Sequence, residues 1–447
     1  MDLRSRITDL MRPARGELAE FVAIRSVADP RQFPPEECAK AAHWVLDKFA
    51  GLGFSDARLE RTPDGSDAVV GSRPGPGPDA PTVLLYAHYD VQPPLDDSAW
   101  RTPPFELTEV DGRWYGRGAA DCKGNILAHL LALRALGNDV PVNLKLVVEG
   151  SEEQGTGGLE TFVAGHHPDL LRADTILVCD TGNAAVGHPA ATVTLRGMVN
   201  VVVTVEAMAS ELHSGMFGGA APDALAALIL MLASLRDQQG NTTITGLDNT
   251  QTWTGAPYPP EQFRADAGLL EGVRLLGDGS VSDMLWARPA VTVLGIDCPP
   301  VTGSSASIVP RTSARLNLRV PPGMAAADAH TALADQLKAA APWGVHVAVD
   351  LEAIGSPFQA AVGGPAFEAM SAAMLEAYGR PMTTLGQGGS IPLCNVFADT
   401  YPDAEIILLG VEEPLALIHA PNESVDPNEI KAMALSLALF LQRYAAA

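Results

Sequence analysis

The chain has 447 residues, 47% of them apolar and 19% charged, with 30 Lys+Arg set against 53 Asp+Glu. At roughly 100–200 residues per domain, that length implies two or three domains with ample surface to bury a core. The formal charge of −23 argues against a nucleic-acid partner, because phosphate binding needs a basic face, and Gly 42 with Pro 35 stays below a low-complexity composition.

In chain order, apolar residues recur at helical spacing over Leu10–Ile24 and Cys38–Leu52. The run Thr82–Ala87 follows a Gly/Pro-rich loop, Gly71–Pro81, and reads as a buried strand. A helix over Ile126–Leu136, a strand over Asn143–Val148, a helix over Leu159–His166 and a strand over Thr175–Cys179 continue the alternation. Strands alternating with helices predict an α/β domain built on a mostly parallel sheet flanked by helices. The β-branched run Val199–Val205 opens a different texture: a helix at Pro222–Leu235, a polar stretch at Gly240–Pro260, strands at Ala290–Ile296, Ala314–Val320 and Val345–Leu351, and a helix at Ala326–Ala340. This predicts a smaller α+β domain. The βα texture returns with a helix ending at Tyr378, a strand at Glu405–Leu409 and a helix at Asp426–Tyr444. The expected organisation is a first domain in two parts, 1–195 and 358–447, interrupted by a second over 196–357.

The longest apolar run, Ala224–Leu235, is shorter than the roughly 18–20 residues of a membrane span and is bracketed by Asp223 and Arg236. The N-terminus has no apolar signal core. Five scattered cysteines, at 38, 122, 179, 298 and 394, form neither a disulfide framework nor a CxxC zinc site. A reduced, cytoplasmic protein is the expectation.

Five stretches place carboxylates or histidines beside expected strand or helix ends: Ala87–Asp90, Ala120–Gly124, Glu149–Glu153, Cys179–Gly182 and Ile418–Pro421. Taken singly, each has an ordinary explanation: a hydrogen-bonded histidine, a solvated turn, a helix N-cap. Together, at one edge of a sheet where α/β sites form, they make a mixed nitrogen and oxygen donor set suited to zinc, manganese or cobalt. His88 and Asp90 are two apart and point the same way on an extended chain, so Asp90 can accept the second ring N–H of His88. Adjacent Glu152 and Glu153 point apart, so one can bind metal while the other moves protons. His88, Asp121, Glu153, Asp180 and His419 make five ligands, too many for one open catalytic ion; they suit two ions about 3.5–4 Å apart sharing a carboxylate.

The ordered motifs Tyr86–Pro93, Gly116–Gly124, Leu212–Gly215 and the His419 stretch resemble the dinuclear zinc metallopeptidases of the carnosinase and cytosolic nonspecific dipeptidase family. The wider group includes acetylornithine deacetylase, succinyl-diaminopimelate desuccinylase, aminoacylase and glutamate carboxypeptidase. The resemblance spans nearly the whole chain. It implies that His88 and Asp180 hold one metal, that Glu153 and His419 hold the other, that Asp121 bridges them and that Glu152 is the general base. It also implies a cis peptide at Asp121–Cys122 and a lid domain, roughly Arg196–Pro357, that mediates a homodimer. His213 would reach the partner subunit's site to stabilise the oxyanion. Arg311 would bind the substrate carboxylate, and the loop Gly388–Gly389–Ser390 would meet the substrate's C-terminal end. The implied reaction is hydrolysis of a dipeptide by water held between two divalent ions, zinc first, with manganese or cobalt as alternatives. Deacylation of an N-acyl amino acid uses the same metal site, and a non-catalytic metal-binding protein of the same fold is the remaining reading. A dinucleotide oxidoreductase is the least favoured reading, because no G-x-G-x-x-G follows the first strand.

Overall fold

The computed structural model describes residues 2–165 and 169–446. The chain divides into two compact units, one comprising Met1–Val193, Ala360–Leu385 and Pro392–Ala447, the other Thr194–Gln359 and Gly386–Ile391. The first is an α/β unit with a parallel sheet core and flanking helices; the second is a smaller α+β unit inserted into it.

Four consecutive central strands of the first unit are parallel: Asn143–Glu149, Thr82–His88, Thr175–Cys179 and Glu405–Leu409. Apart from Lys145 and residues at their ends, these segments are apolar, as strands covered on both faces must be. Antiparallel strands extend the sheet on either side, with Asp67–Arg73 and Arg58–Arg61 beyond Asn143–Glu149, and Ala190–Leu195 beyond Glu405–Leu409. The parallel register places His88 level with Glu149 and Cys179 level with Leu409, so four carboxyl ends open on one edge. The helix Lys123–Leu136 is buried except at Arg134, and it packs with Leu3–Val22 and Pro427–Tyr444 around the core.

Most expected elements are present, with ends shifted by a few residues. The first helix differs more: it starts at Leu3, capped by Asp2 accepting from the Ser5 amide at 2.8 Å, and runs through Pro13. Pro13 faces solvent, where water can meet the carbonyl that loses its partner. The helix expected over Leu159–His166 runs Gly158–Gly165, and His166 lies outside the described residues.

In the second unit an antiparallel sheet is ordered Ala290–Ile296, Arg311–Val320, Gly197–Glu206, His346–Gly355. Val199, Val201, Val203 and Val205 alternate onto one face and pack beneath the helices Ala224–Ala233 and Ala326–Ala339. Among the described residues no helix is long and apolar enough to cross a membrane.

Candidate active site

The carboxyl edge of the parallel strands delivers the site. His88 is the last residue of its strand, Asp180 follows Thr175–Cys179, and Glu152 with Glu153 opens a short 3₁₀ turn just past Asn143–Glu149. Asp121 comes from the loop before the helix Lys123–Leu136, and the Asp121–Cys122 peptide is cis. His419 arrives from the other end of the chain, on a loop after the strand Glu405–Leu409, with a left-handed φ of 61°.

The two imidazoles meet on one carboxylate. His88 Nε2 lies 3.0 Å from Asp121 Oδ1, and His419 Nε2 lies 2.9 Å from Asp121 Oδ2. His88 Nε2 is also 3.0 Å from Asp180 Oδ1, and His419 Nε2 is 3.2 Å from Glu153 Oε2. The five expected ligands therefore gather around Asp121, His88 with Asp180 on one side and His419 with Glu153 on the other. Asp90 sits differently from a simple ring acceptor. His88 Nδ1 is 3.1 Å from the Asp90 carbonyl oxygen and 3.4 Å from its Oδ1, while the Asp90 carboxylate accepts the Glu152 amide at 3.2 Å and the Glu153 amide at 3.0 Å. One side chain thus orients the imidazole and fixes the turn that carries the two glutamates.

Electrostatics separate the carboxylates. Burial opposes ionisation of Asp121, but hydrogen bonds to His419 and His88 pull its pKa well below the ordinary carboxylate range. Burial raises Glu152 well above that range, and the neighbouring Asp180 charge adds to the effect. Burial and the Asp121 charge do the same to Glu153. Carboxyl groups driven apart in this way are the pattern of an acid/base site.

Several residues beyond the expected site set complete the surroundings. Glu412 is buried, with Oε1 accepting from Asn125 Nδ2 at 2.9 Å, and it groups with Asp121 and Asp180 within reach of a common ion. It follows a buried strand as Glu152 and Glu153 do, so the same strand-end signal would have found it. Cys122 groups in the same way with His88 and Asp180, its thiol donating to the Cys179 carbonyl at 2.9 Å. Glu423 accepts the amides of Gly118, Ala120 and Asp121 at 3.0–3.1 Å and the Arg117 guanidinium at 2.7 Å. Gln92 donates to Glu153 Oε2 at 2.7 Å.

This donor set fits divalent metal. The carboxylates of Asp121, Asp180 and Glu153 share groupings with the His88 imidazole, the chemistry of zinc and its neighbours, while Glu412 groups with Asp121 and Asp180 alone. The buried Glu153 Oε1 has no hydrogen-bond partner among the described residues, and a buried polar atom left so asks for a cation.

In the second unit, His213 ends a short strand, Leu212–His213, is exposed, and its Nδ1 accepts from the Gly215 amide at 3.0 Å. A neutral ring then carries its proton on Nε2. Arg311 begins the strand Arg311–Val320, with Nε 3.3 Å from Glu206 Oε1 and both side chains more than half exposed. Gly389 has open space where a side chain would be, and Ser390 is half-buried just before the helix Pro392–Thr400.

A family profile described as Peptidase family M20/M25/M40 matches residues 84–443. The chain is 44% identical over 436 residues to a cysteinylglycine-S-conjugate dipeptidase of Corynebacterium striatum, covering 96% of this chain and 94% of that one. It is 28% identical to the Beta-Ala-His dipeptidase of Rattus norvegicus, covering 95% and 92%. Human carnosine dipeptidase 1, in its crystal structure, superposes with a TM-score of 0.82 at 26% identity, covering 100% of both chains. The chain belongs to the peptidase family M20/M25/M40.

Proposed function

We propose that this chain is a metallo-dipeptidase that hydrolyses the peptide bond of small dipeptides. The observation that carries it is the meeting of His88 and His419, 331 positions apart, on the two oxygens of Asp121 at 3.0 and 2.9 Å. His88 with Asp180 and His419 with Glu153 would each hold one divalent ion, zinc by the nature of the donors, with Asp121 between them. Such ions, when bound, lower the pKa of water toward neutrality and polarise a carbonyl.

Glu152 takes the proton from the attacking water and returns it to the departing amine, a service worth about 10²–10⁴-fold in rate. Its raised affinity for protons suits both halves of that task. Asp90 keeps Glu152 and Glu153 at a fixed angle through their amides. His213 offers its Nε2 proton to the oxyanion, contributed to the partner subunit of a dimer. Arg311, Gly389 and Ser390 take the substrate's C-terminal end. The relative at 44% identity favours Cys-Gly S-conjugates within the dipeptide class. Five cysteines, all unpaired, accord with a reducing cytoplasm.

The test is a substrate panel on metal-loaded protein: Ala-Gly, a β-alanyl dipeptide, a Cys-Gly S-conjugate and N-acetyl amino acids, before and after chelation and zinc or manganese add-back. Dipeptide turnover that vanishes on chelation and returns with metal is expected. Preference for the N-acetyl compounds would identify a deacylase, and turnover of none would leave a metal-binding protein. Glu152→Ala should abolish turnover while metal content stays; Glu153→Ala should lose metal. Full activity in both variants would overturn the assignment.

A further inference from the structure

We propose that Arg196, with Arg319 beside it, forms a seat for the free carboxylate of the dipeptide on the second unit, against Gly388. The inference rests on the dipeptidase reading for the identity of its ligand, and on the following geometry for the site.

Arg196 is only 9% exposed, and among the described residues its Nε and Nη1 have no hydrogen-bond partner. The contrast with Arg117 is direct: that buried guanidinium donates to the Glu423 carboxylate at 2.7 Å and to two carbonyls at 3.2 Å. Arg319 adds a second positive charge near Arg196, and no ion pair among the described residues engages either guanidinium. Burial together with the Arg319 charge lowers the Arg196 pKa to about 10. Among the described residues of a chain with 53 acidic side chains, these two neighbouring cations are thus left without a carboxylate. A buried guanidinium is tolerated when an anion completes it, and here that anion must come from outside.

The neighbouring loop leaves room for one. The Arg196 amide donates to the Gln387 carbonyl at 3.2 Å, bringing the start of the Gly388–Ser390 loop against it. A Cβ on Gly388 would stand 2.7 Å from Arg196 Nη2. Glycine therefore keeps open the nitrogen shared by both guanidinium forks, Nε with Nη2 and Nη1 with Nη2. A guanidinium fork matches the two oxygens of a carboxylate, and a dipeptide carries one such free group.

The experiment compares Ala-Gly with its C-terminal carboxamide on metal-loaded wild-type protein, Arg196→Met, Arg196→Lys and Gly388→Ala, with thermal melts alongside. For wild type, KM for the free acid should be far lower than for the amide. Arg196→Met should raise KM for the acid about 100-fold with kcat changed only a few-fold, and should erase the acid-over-amide preference. Arg196→Lys should recover part of the loss, since it keeps the charge but not the fork; Gly388→Ala should raise KM for the acid alone. An unchanged acid-to-amide KM ratio in Arg196→Met overturns the proposal. Should that variant not fold, an unchanged ratio in both Arg196→Lys and Gly388→Ala overturns it. If wild type cleaves no dipeptide, the dipeptidase reading fails separately, and calorimetry with N-acetylglycine then decides the site: binding to wild type that is lost in the Arg196 variants supports it, and equal binding refutes it.

Discussion

A single carboxylate, Glu423, accepts three backbone amides of the loop that ends at Asp121, and with Arg117 it ties that loop to the chain around His419. The aim of both Asp121 oxygens at their two imidazoles depends on that loop, so Glu423 acts on the site without being counted among its ligands. Groups that orient ligands in this way cost about 10–100-fold in metal affinity when removed. Glu423→Gln places an NH₂ where an amide donor already points, and it should weaken zinc binding by about that factor in chelator competition while the protein stays folded. Unchanged affinity would mean the loop holds its shape without the charge. At this scale the sequence was most legible for residues whose chemistry is self-announcing. His88, Asp121, Glu153, Asp180 and His419 stood out as imidazoles and carboxylates beside glycine. Glu423 and Arg117 did not, because an acceptor of main-chain amides has no periodicity and no fixed spacing to its partners, some 300 residues away in the chain.

Among the elements, the first helix shows how side chains staple layers together. Glu17 on Leu3–Val22 pairs with Lys48 of Pro35–Ala50 at 2.7 Å and with Arg134 of Lys123–Leu136, whose Nη2 is 3.0 Å from Glu17 Oε1. Burial would raise its pKa, but the Arg134 and Lys48 hydrogen bonds prevail and lower it. A carboxylate with a depressed folded pKa contributes stability that is present above its unfolded value, about 4.3, and is lost as pH falls through the lower folded value. Glu17→Gln should therefore destabilise the fold by about 0.5–1 kcal/mol at neutral pH, discounted for solvent screening, with the difference from wild type closing below about pH 4 in denaturant titrations. A difference that persists unchanged at acid pH would point to packing instead of charge. The loop after Asn143–Glu149 is held by a comparable hub. Asp64 accepts from Thr62, Ser66, Ser151 and Thr156, gripping both ends of the turn that contains Glu152 and Glu153. Asp64→Ala should lower kcat more than it lowers the melting temperature, measured by steady-state kinetics beside calorimetry. Helix and strand interiors followed from periodicity, whereas the hairpin Arg58–Arg61 with Asp67–Arg73 escaped it. Its outer strand, Arg-Leu-Glu-Arg, carries the charges that protect a sheet edge and so hides the alternation of a half-buried strand.

For the molecule as a whole, the second unit presents an edge strand, Ala290–Ile296, with Val293, Leu294 and Ile296 exposed, and a helix with Ile229 and Leu230 exposed. Apolar groups on an unpaired edge and a nearby helix suit a second copy of the chain, which is how the proposed homodimer would form. Leu294→Asp should shift the protein to monomer in sedimentation. If His213 serves the partner's site, activity should fall with dimer content, and a fully active monomer would contradict that role. The sequence by itself determined what local chemistry can record: the alternation of strand and helix, the acidic surface, the ligand types at strand ends, and a set of motifs ordered closely enough to name a family. Tertiary structure decided what depends on distance through space. It brought His419 onto the carboxylate of Asp121, turned Asp90 toward two amides as well as an imidazole, set Glu412 beside the ligands, and buried Arg196 with its Nε and Nη1 unpartnered among the described residues. The reason is physical: periodicity reports only which face of its own element a residue occupies, while the partner that satisfies a buried charge is chosen by how distant elements pack.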